Sequence, residues 1–152
     1  MNKPRGFSMI ELLVVCVIAM LLAAVAAPAW NDHLVRTRRH EAQATMQRLM
    51  LQQERYFTQH GSYLAFGAAV QADDPEQRQF QWWSGATAPA SGYEIEGKAC
   101  DGHTLDACVQ LVATPGTPRV DGRFRDVDCG QLLLTSSGLR QADGPQANCW
   151  RR

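Results

Sequence analysis

The sequence predicts an α+β protein in which one long N-terminal α-helix, a membrane half followed by an amphipathic half, packs on a small antiparallel β-sheet. Three observations predict this fold. Residues 12–30 are uncharged and almost wholly apolar. From there to His60 and Gly61, apolar residues recur at the three- and four-residue spacing of a helix. The remainder, residues 61–152, alternates short β-prone stretches with Gly, Pro and Ser turns, and it holds four of the chain's five cysteines.

The apolar run comes first. At about 1.5 Å per residue it extends roughly 28 Å, close to the hydrocarbon thickness of a bilayer. Lys3 and Arg5 precede it, so the positive-inside tendency holds the N-terminus in the cytoplasm and puts the C-terminal part in the periplasm, a single pass through the inner membrane. A secretory signal ending at Ala24-Val25-Ala26 and a plain membrane anchor are the two ordinary readings of such a run. Neither accounts for Glu11, one residue before the run, because a carboxylate costs about 2.5 to 3.5 kcal/mol toward the bilayer centre. A helix dipole favours a first-turn carboxylate by only about 0.3 to 1 kcal/mol. Pro28 lacks an amide proton and collides with the carbonyl four residues back, which predicts a helix kink.

Residues 31–60 continue the helix. Ala42, Met46, Leu49, Gln53 and Tyr56 recur on one side with Leu34, Met50 and Phe57 nearby, while Arg36, Arg38, Arg39, Glu41, Gln47, Arg48 and Glu54 fill the other faces. Gly61 supplies the helix end. A helix continuous from Phe7 to His60 extends roughly 80 Å, so half of it must meet protein or water.

Residues 61–92 read as an irregular connection with a short strand at residues 79–83. Strands follow at residues 93–96, 108–114 and 131–135, with turns at Pro115-Gly116 and Ser137-Gly138. Such a sheet needs one face covered, and the amphipathic half of the helix is available for that. The even set Cys100, Cys108, Cys129 and Cys149 predicts disulfides formed in an oxidising compartment, with three pairings open. Cys16 reads as a small buried apolar residue. Cys100, His103 and Cys108 suggest a zinc set, but no fourth ligand is specified and the compartment favours oxidation, so neither metal nor cofactor is expected.

The segment Lys3-Pro-Arg-Gly6 followed by Phe7-Ser-Met-Ile-Glu11-Leu-Leu-Val-Val resembles the prepilin leader and N-terminal segment of type IV pilins and their secretion-system relatives. The resemblance implies that residues 1–6 are a leader peptide, that a prepilin peptidase/methyltransferase cuts after Gly6, and that it N-methylates Phe7. Residues 7–30 are then the membrane and assembly half of the helix, and Glu11 pairs with the Phe7 amine of a neighbouring subunit. The chemistry agrees: Gly6 lets an extended chain approach a protease closely, and the new α-amine, with a reference pKa of about 7.7 to 8.0, is largely cationic.

Tyr56-Phe57 before Gly61-Ser62-Tyr63, the C-G-x-L-x-L-T-x-x-G pattern of residues 129–138 and the terminal Cys149-Trp150 look like minor pilins. This likeness implies a Cys129 to Cys149 disulfide bounding the C-terminal region of a globular β domain at residues 61–152. Cys100 to Cys108 then closes a smaller loop.

An enzyme is not expected, since the sequence has no Gly-rich phosphate loop, His-Glu metal motif or nucleophile elbow. Lys plus Arg equals Asp plus Glu at 15 each, so whole-chain charge points to no acidic partner. Two local clusters stand out. Arg36, Arg38, Arg39 and His40 read best as a solvated helix face near membrane headgroups. Trp150-Arg151-Arg152 joins an aromatic to two cations, which makes Arg151 and Arg152 candidate DNA or surface contacts. The expected function is that of a minor type IV pilin, a structural and assembly subunit serving pilus biogenesis, with twitching motility, adhesion or DNA uptake as its roles. A type II secretion pseudopilin and a DNA- or surface-binding pilin module are the alternatives. The expected partners are other pilin subunits, the prepilin peptidase, the inner-membrane assembly machinery and the membrane, with nucleic acid as a further candidate. The expected location is the inner membrane before assembly and the cell-surface pilus after it.

Overall fold

A computed structural model describes residues 8–69 and 74–150, without the side chains of residues 25–29. Residues Met9–His60 form one α-helix, α1. The chain divides into two compact units, Met1–Leu34 and Val35–Arg152.

In the first unit, α1 opens with the Ser8 carbonyl accepting from the amides of Glu11 and Leu12. Glu11 lies in the first turn. Leu12, Val14, Ile18 and Leu22 are all exposed, as is Cys16. Cys16 is thus exposed in this unit, against the expectation of a buried residue. The helix runs on through position 28, and the kink expected at Pro28 concerns a side chain outside the described ones. Among the described residues, no helix is long and apolar enough to cross a membrane.

In the second unit, the helix buries Arg39, Ala42, Gln43, Thr45, Met46, Leu49 and Gln53. Opposite lies a four-stranded antiparallel sheet in the order β1-β2-β3-β4, made of β1 Tyr93–Ala99, β2 Val109–Pro115, β3 Leu132–Thr135 and β4 Arg140–Ala142. Alternation decides which face turns inward. Ile95, Ala113 and Leu132 align in one row and Gly97, Leu111 and Leu134 in the next, and these apolar residues join Ala42, Met46 and Leu49 in one core.

The polar members of the buried helix face are all satisfied, and each holds a loop. Gln53 grips Leu64 twice, donating from Nε2 to its carbonyl at 2.7 Å and accepting from its amide at 3.0 Å. Thr45 Oγ1 donates to the Ser84 carbonyl at 2.8 Å, and Gln43 Nε2 donates to the Cys149 carbonyl at 2.6 Å. Burial of such groups is tolerated because each has its partner.

Gly61 and Gly97 are among the glycines that geometry requires. Gly61 has φ +72° and donates to the Phe57 carbonyl at 2.8 Å, ending the helix in the left-handed conformation that other residues avoid. At Gly97 a Cβ would overlap the Phe66 ring, so its absence lets Phe66 lie on the sheet and pair with the edge of β1.

The segment expected to be a strand at residues 79–83 is not one. Gln77–Gln79 form a 3₁₀ turn, and beyond it only the isolated bridge of Trp83 to Glu94 pairs with β1. The chain is diverted because Gln81 Nε2 donates to the Trp83 and Gly85 carbonyls, closing a local turn in place of a ladder.

Candidate functional site

Of the residues singled out at the N-terminus, Gly6 and Phe7 lie outside the described residues, and Glu11 stands exposed. The other candidate region is at the cysteine-bounded end of the domain, and it is built in layers.

The deepest layer is a buried ionic hub. Arg39 on α1 donates from Nε and Nη2 to the two carboxylate oxygens of Asp126, each at 2.7 Å. The Tyr93 hydroxyl donates a short hydrogen bond to the same carboxylate, and the Cys129 amide donates to it at 3.1 Å. Burial pushes the Asp126 carboxyl up, but Arg39, Tyr93 and the Cys129 amide together hold it below the usual carboxylate range. The hydrogen bonds that Arg39 donates to Asp126 hold its guanidinium above its ordinary value, and burial together with Asp126 raises the Tyr93 phenol.

This hub corrects the reading of residues 36–40 as a solvated basic face. Arg39 is only 7% exposed. Arg38 pairs with Asp121 at 2.6 Å and lies 5.3 Å from the centre of the Phe124 ring. Both carboxylates come from the connection between β2 and β3, so the helix pattern by itself could not reveal that these arginines are occupied. Arg36 and His40 stay exposed.

Above the hub, disulfides join Cys129 to Cys149 and Cys100 to Cys108, with Cα separations of 5.6 and 5.4 Å. The second disulfide occupies both sulfurs of the zinc set considered around His103. The first begins a clamp on the C-terminal segment: Gly144 donates to the Cys129 carbonyl at 3.0 Å, Gln146 to the Asp128 carbonyl at 3.0 Å, and Gln43 holds the Cys149 carbonyl. Trp150 Nε1 donates to the Gln141 carbonyl at 2.7 Å, and the Arg140 guanidinium lies 5.8 Å from the Trp150 ring centre. Arg151 and Arg152 lie outside the described residues.

Two grooves flank β4, and their charges differ. One, of about 560 Å³, has Val112 and Leu133 on its floor and Lys98, Asp101 and Asp143 on its rim. Lys98 is paired with Glu96 at 2.9 Å, so carboxylates dominate this face and a phosphate there would be repelled. The other, of about 420 Å³, is lined by Arg140, Gln146, Asn148 and Trp150, and among its described lining residues Arg140 is the one charged group. Sequence reasoning pointed to Trp150 but missed Arg140, which reaches the ring only through the pairing of β4 with β3.

Residues 28–133 match a protein family described as type IV minor pilin ComP, DNA uptake sequence receptor, and residues 1–27 match the prokaryotic N-terminal methylation motif. A fimbrial protein of Moraxella nonliquefaciens is 45% identical over 42 residues, which are 28% of this chain and 27% of that protein. The type IV major pilin protein PilA of Myxococcus xanthus (strain DK1622) is 25% identical over 116 residues, 76% of this chain and 48% of that protein. The chain thus spans less than half the length of either relative. A solved type IV pilin from Shewanella oneidensis covers 78% of this chain with 99% of its own, at 24% identity and a TM-score of 0.45. The groove beside Trp150 lies beyond the 28–133 match.

Proposed function

The chain belongs to the ComP family of type IV minor pilins, and from that premise we propose that it binds DNA for uptake through the cysteine-bounded end of its domain. The observation that carries this reading is the groove beside Trp150, where Arg140 is unopposed by any carboxylate in the lining and the sequence continues directly into Arg151 and Arg152. Arginines of this kind displace counterions condensed on the phosphates, which gives affinity that falls with salt. The clamp by disulfide and main-chain hydrogen bonds supports a preformed surface, so little ordering is needed when DNA docks.

The N-terminus serves display. The leader, residues 1–6, is removed by a prepilin peptidase after Gly6, and Phe7 becomes the methylated first residue. Residues 7–30 hold the subunit in the inner membrane with the domain in the periplasm, and then in the filament core among other pilins. Glu11 meets the Phe7 amine of a neighbour, and Pro28 bends the helix. The carboxylate that is costly in lipid becomes a registration mark in the filament.

The test is binding of labelled duplex DNA by the full chain in detergent at several salt concentrations. Wild-type affinity should fall with salt, and Arg140→Ala should reduce the logarithmic salt slope by about one. Absence of salt-dependent binding by the wild type overturns the reading.

A further inference from the structure

We propose that the groove on the outer face of the sheet binds a linear aliphatic polyamine, with its end ammonium groups at Asp101 and Asp143 and its methylenes over Val112 and Leu133. This site is separate from the groove beside Trp150 and does not depend on the DNA reading above.

Strand alternation makes the floor. Ala113 and Leu132 face the core, so Val112 and Leu133, paired in register, turn to the opposite face. Val112 is only 8% exposed, which sets the floor below its rim. At one end the Gln110 side chain, also nearly buried, donates from Nε2 to the Ala99 carbonyl at 2.9 Å and to Asp101 Oδ1 at 3.1 Å. Its Oε1 accepts from no described residue, so an unused acceptor on a buried side chain lies beside a carboxylate. At the other end Asp143 Oδ1 accepts from the Gln131 amide at 2.6 Å, and Gln131 Nε2 donates to Thr114 at 3.1 Å. Gln110 and Thr114 stand four residues apart on β2, with Val112 midway. The two ends are therefore roughly 13 Å apart along the strands, with about 5 Å more across from β2 to β3.

Charge decides the class of ligand. Glu94 pairs with Arg119 at 3.0 Å and Glu96 with Lys98 at 2.9 Å, whereas Asp101 and Asp143 form no ion pair with any described residue. The groove thus has an uncompensated negative charge at each end and apolar surface between them. An ammonium group brings donors and no acceptor, which suits Asp101 with the Gln110 oxygen at one end and Asp143 at the other. Methylenes laid over Val112 and Leu133 leave water for apolar surface. A metal ion satisfies one end and leaves the floor unused, and a single lysine side chain reaches only one carboxylate. The volume of about 560 Å³ is that of a small-molecule site. Each exposed ion pair is weak by itself, so the chain that joins two of them sets the affinity.

The experiment is calorimetric titration of the full chain in non-ionic detergent with putrescine, spermidine and spermine. Spermidine and spermine should bind, and putrescine, too short to join the two ends, should bind at least about tenfold more weakly. Asp101→Asn and Asp143→Asn should each remove the advantage of spermidine over putrescine. Asp106→Asn, at an exposed carboxylate outside the groove, should keep it. Lys98→Gln removes a like charge and releases Glu96, so it should tighten spermidine binding by about two- to fivefold, a gain that misfolding cannot produce. Absence of binding, equal affinity of the wild type for putrescine and spermidine, or an advantage that survives both aspartate changes overturns the proposal. A tetralysine peptide that binds more tightly than spermidine through the same two carboxylates also overturns it, and assigns the groove to a basic protein segment instead.

Discussion

Arg39 and Asp126, 87 residues apart in the chain, meet inside the domain through two hydrogen bonds of 2.7 Å. The Asp126 side chain is fully buried and that of Arg39 only 8% exposed. Such a pair ties α1 to the β2–β3 connection, but its net contribution is smaller than its geometry suggests, because both charges have left water. Breaking it is a different matter. Asp126→Ala should destabilise the full chain by about 3 to 5 kcal/mol, measured by denaturant unfolding, since an unpaired guanidinium remains buried. The double variant Arg39→Met with Asp126→Leu should be less destabilised than either single change, and a simple sum of the two single effects would contradict this account.

Acid should expose the same pair. Because the Asp126 carboxyl is held below its ordinary 3.8, the unfolded chain binds the proton more readily than the folded one. The stabilisation is therefore full above about pH 5 and is lost progressively as the pH falls toward the depressed folded value. Asp121, held low by Arg38, shares in the effect. The unfolding midpoint should stay level from neutrality to about pH 5 and then drop, and Asp126→Asn should make that acid limb shallower. An acid limb as steep in the variant as in the wild type would remove Asp126 from the explanation.

The two disulfides should differ in consequence. Closing the 20-residue separation between Cys129 and Cys149 constrains the unfolded chain by about 3 kcal/mol, and the 8-residue separation between Cys100 and Cys108 by about 2.5 kcal/mol, on the loop-entropy account. Serine replacement of either pair should therefore cost similar stability. Only loss of Cys129 to Cys149 should also weaken DNA binding, because that bridge holds residues 144–150. Non-reducing peptide mapping of the wild type should recover both links.

These relationships mark where sequence was readable. The buried stripe of Ala42, Met46, Leu49 and Gln53 follows from helical period alone, β1 follows from apolar alternation, and β2 and β3 follow from short β-prone apolar stretches. The strand β4 is Arg140-Gln141-Ala142, three residues without alternation, and it exists only because the turn after β3 returns the chain to it. Phe80, Gln81 and Trp82 alternate as a strand should, yet a side-chain amide bonding its own neighbours replaced the ladder. Arg38 and Arg39 looked solvated because their carboxylates lie far along the chain. The same non-local cause hid Arg140 from Trp150.

Glu11 carries the last prediction. It stands exposed in the first turn of α1 and makes no ion pair with any described residue. Within lipid such a carboxylate is a liability, so Glu11→Val should insert into the membrane at least as well as the wild type. If its role is to meet the Phe7 amine of an adjacent subunit, both Glu11→Val and the near-isosteric Glu11→Gln should accumulate in the membrane fraction and be depleted from sheared pili. Shape is preserved in the second variant, so depletion there isolates the charge. The cation also has to be made: intact-mass analysis of sheared pili should find the chain beginning at N-methylated Phe7. Wild-type incorporation of Glu11→Gln, or a filament-bound chain that retains Met1, would separate this carboxylate from assembly.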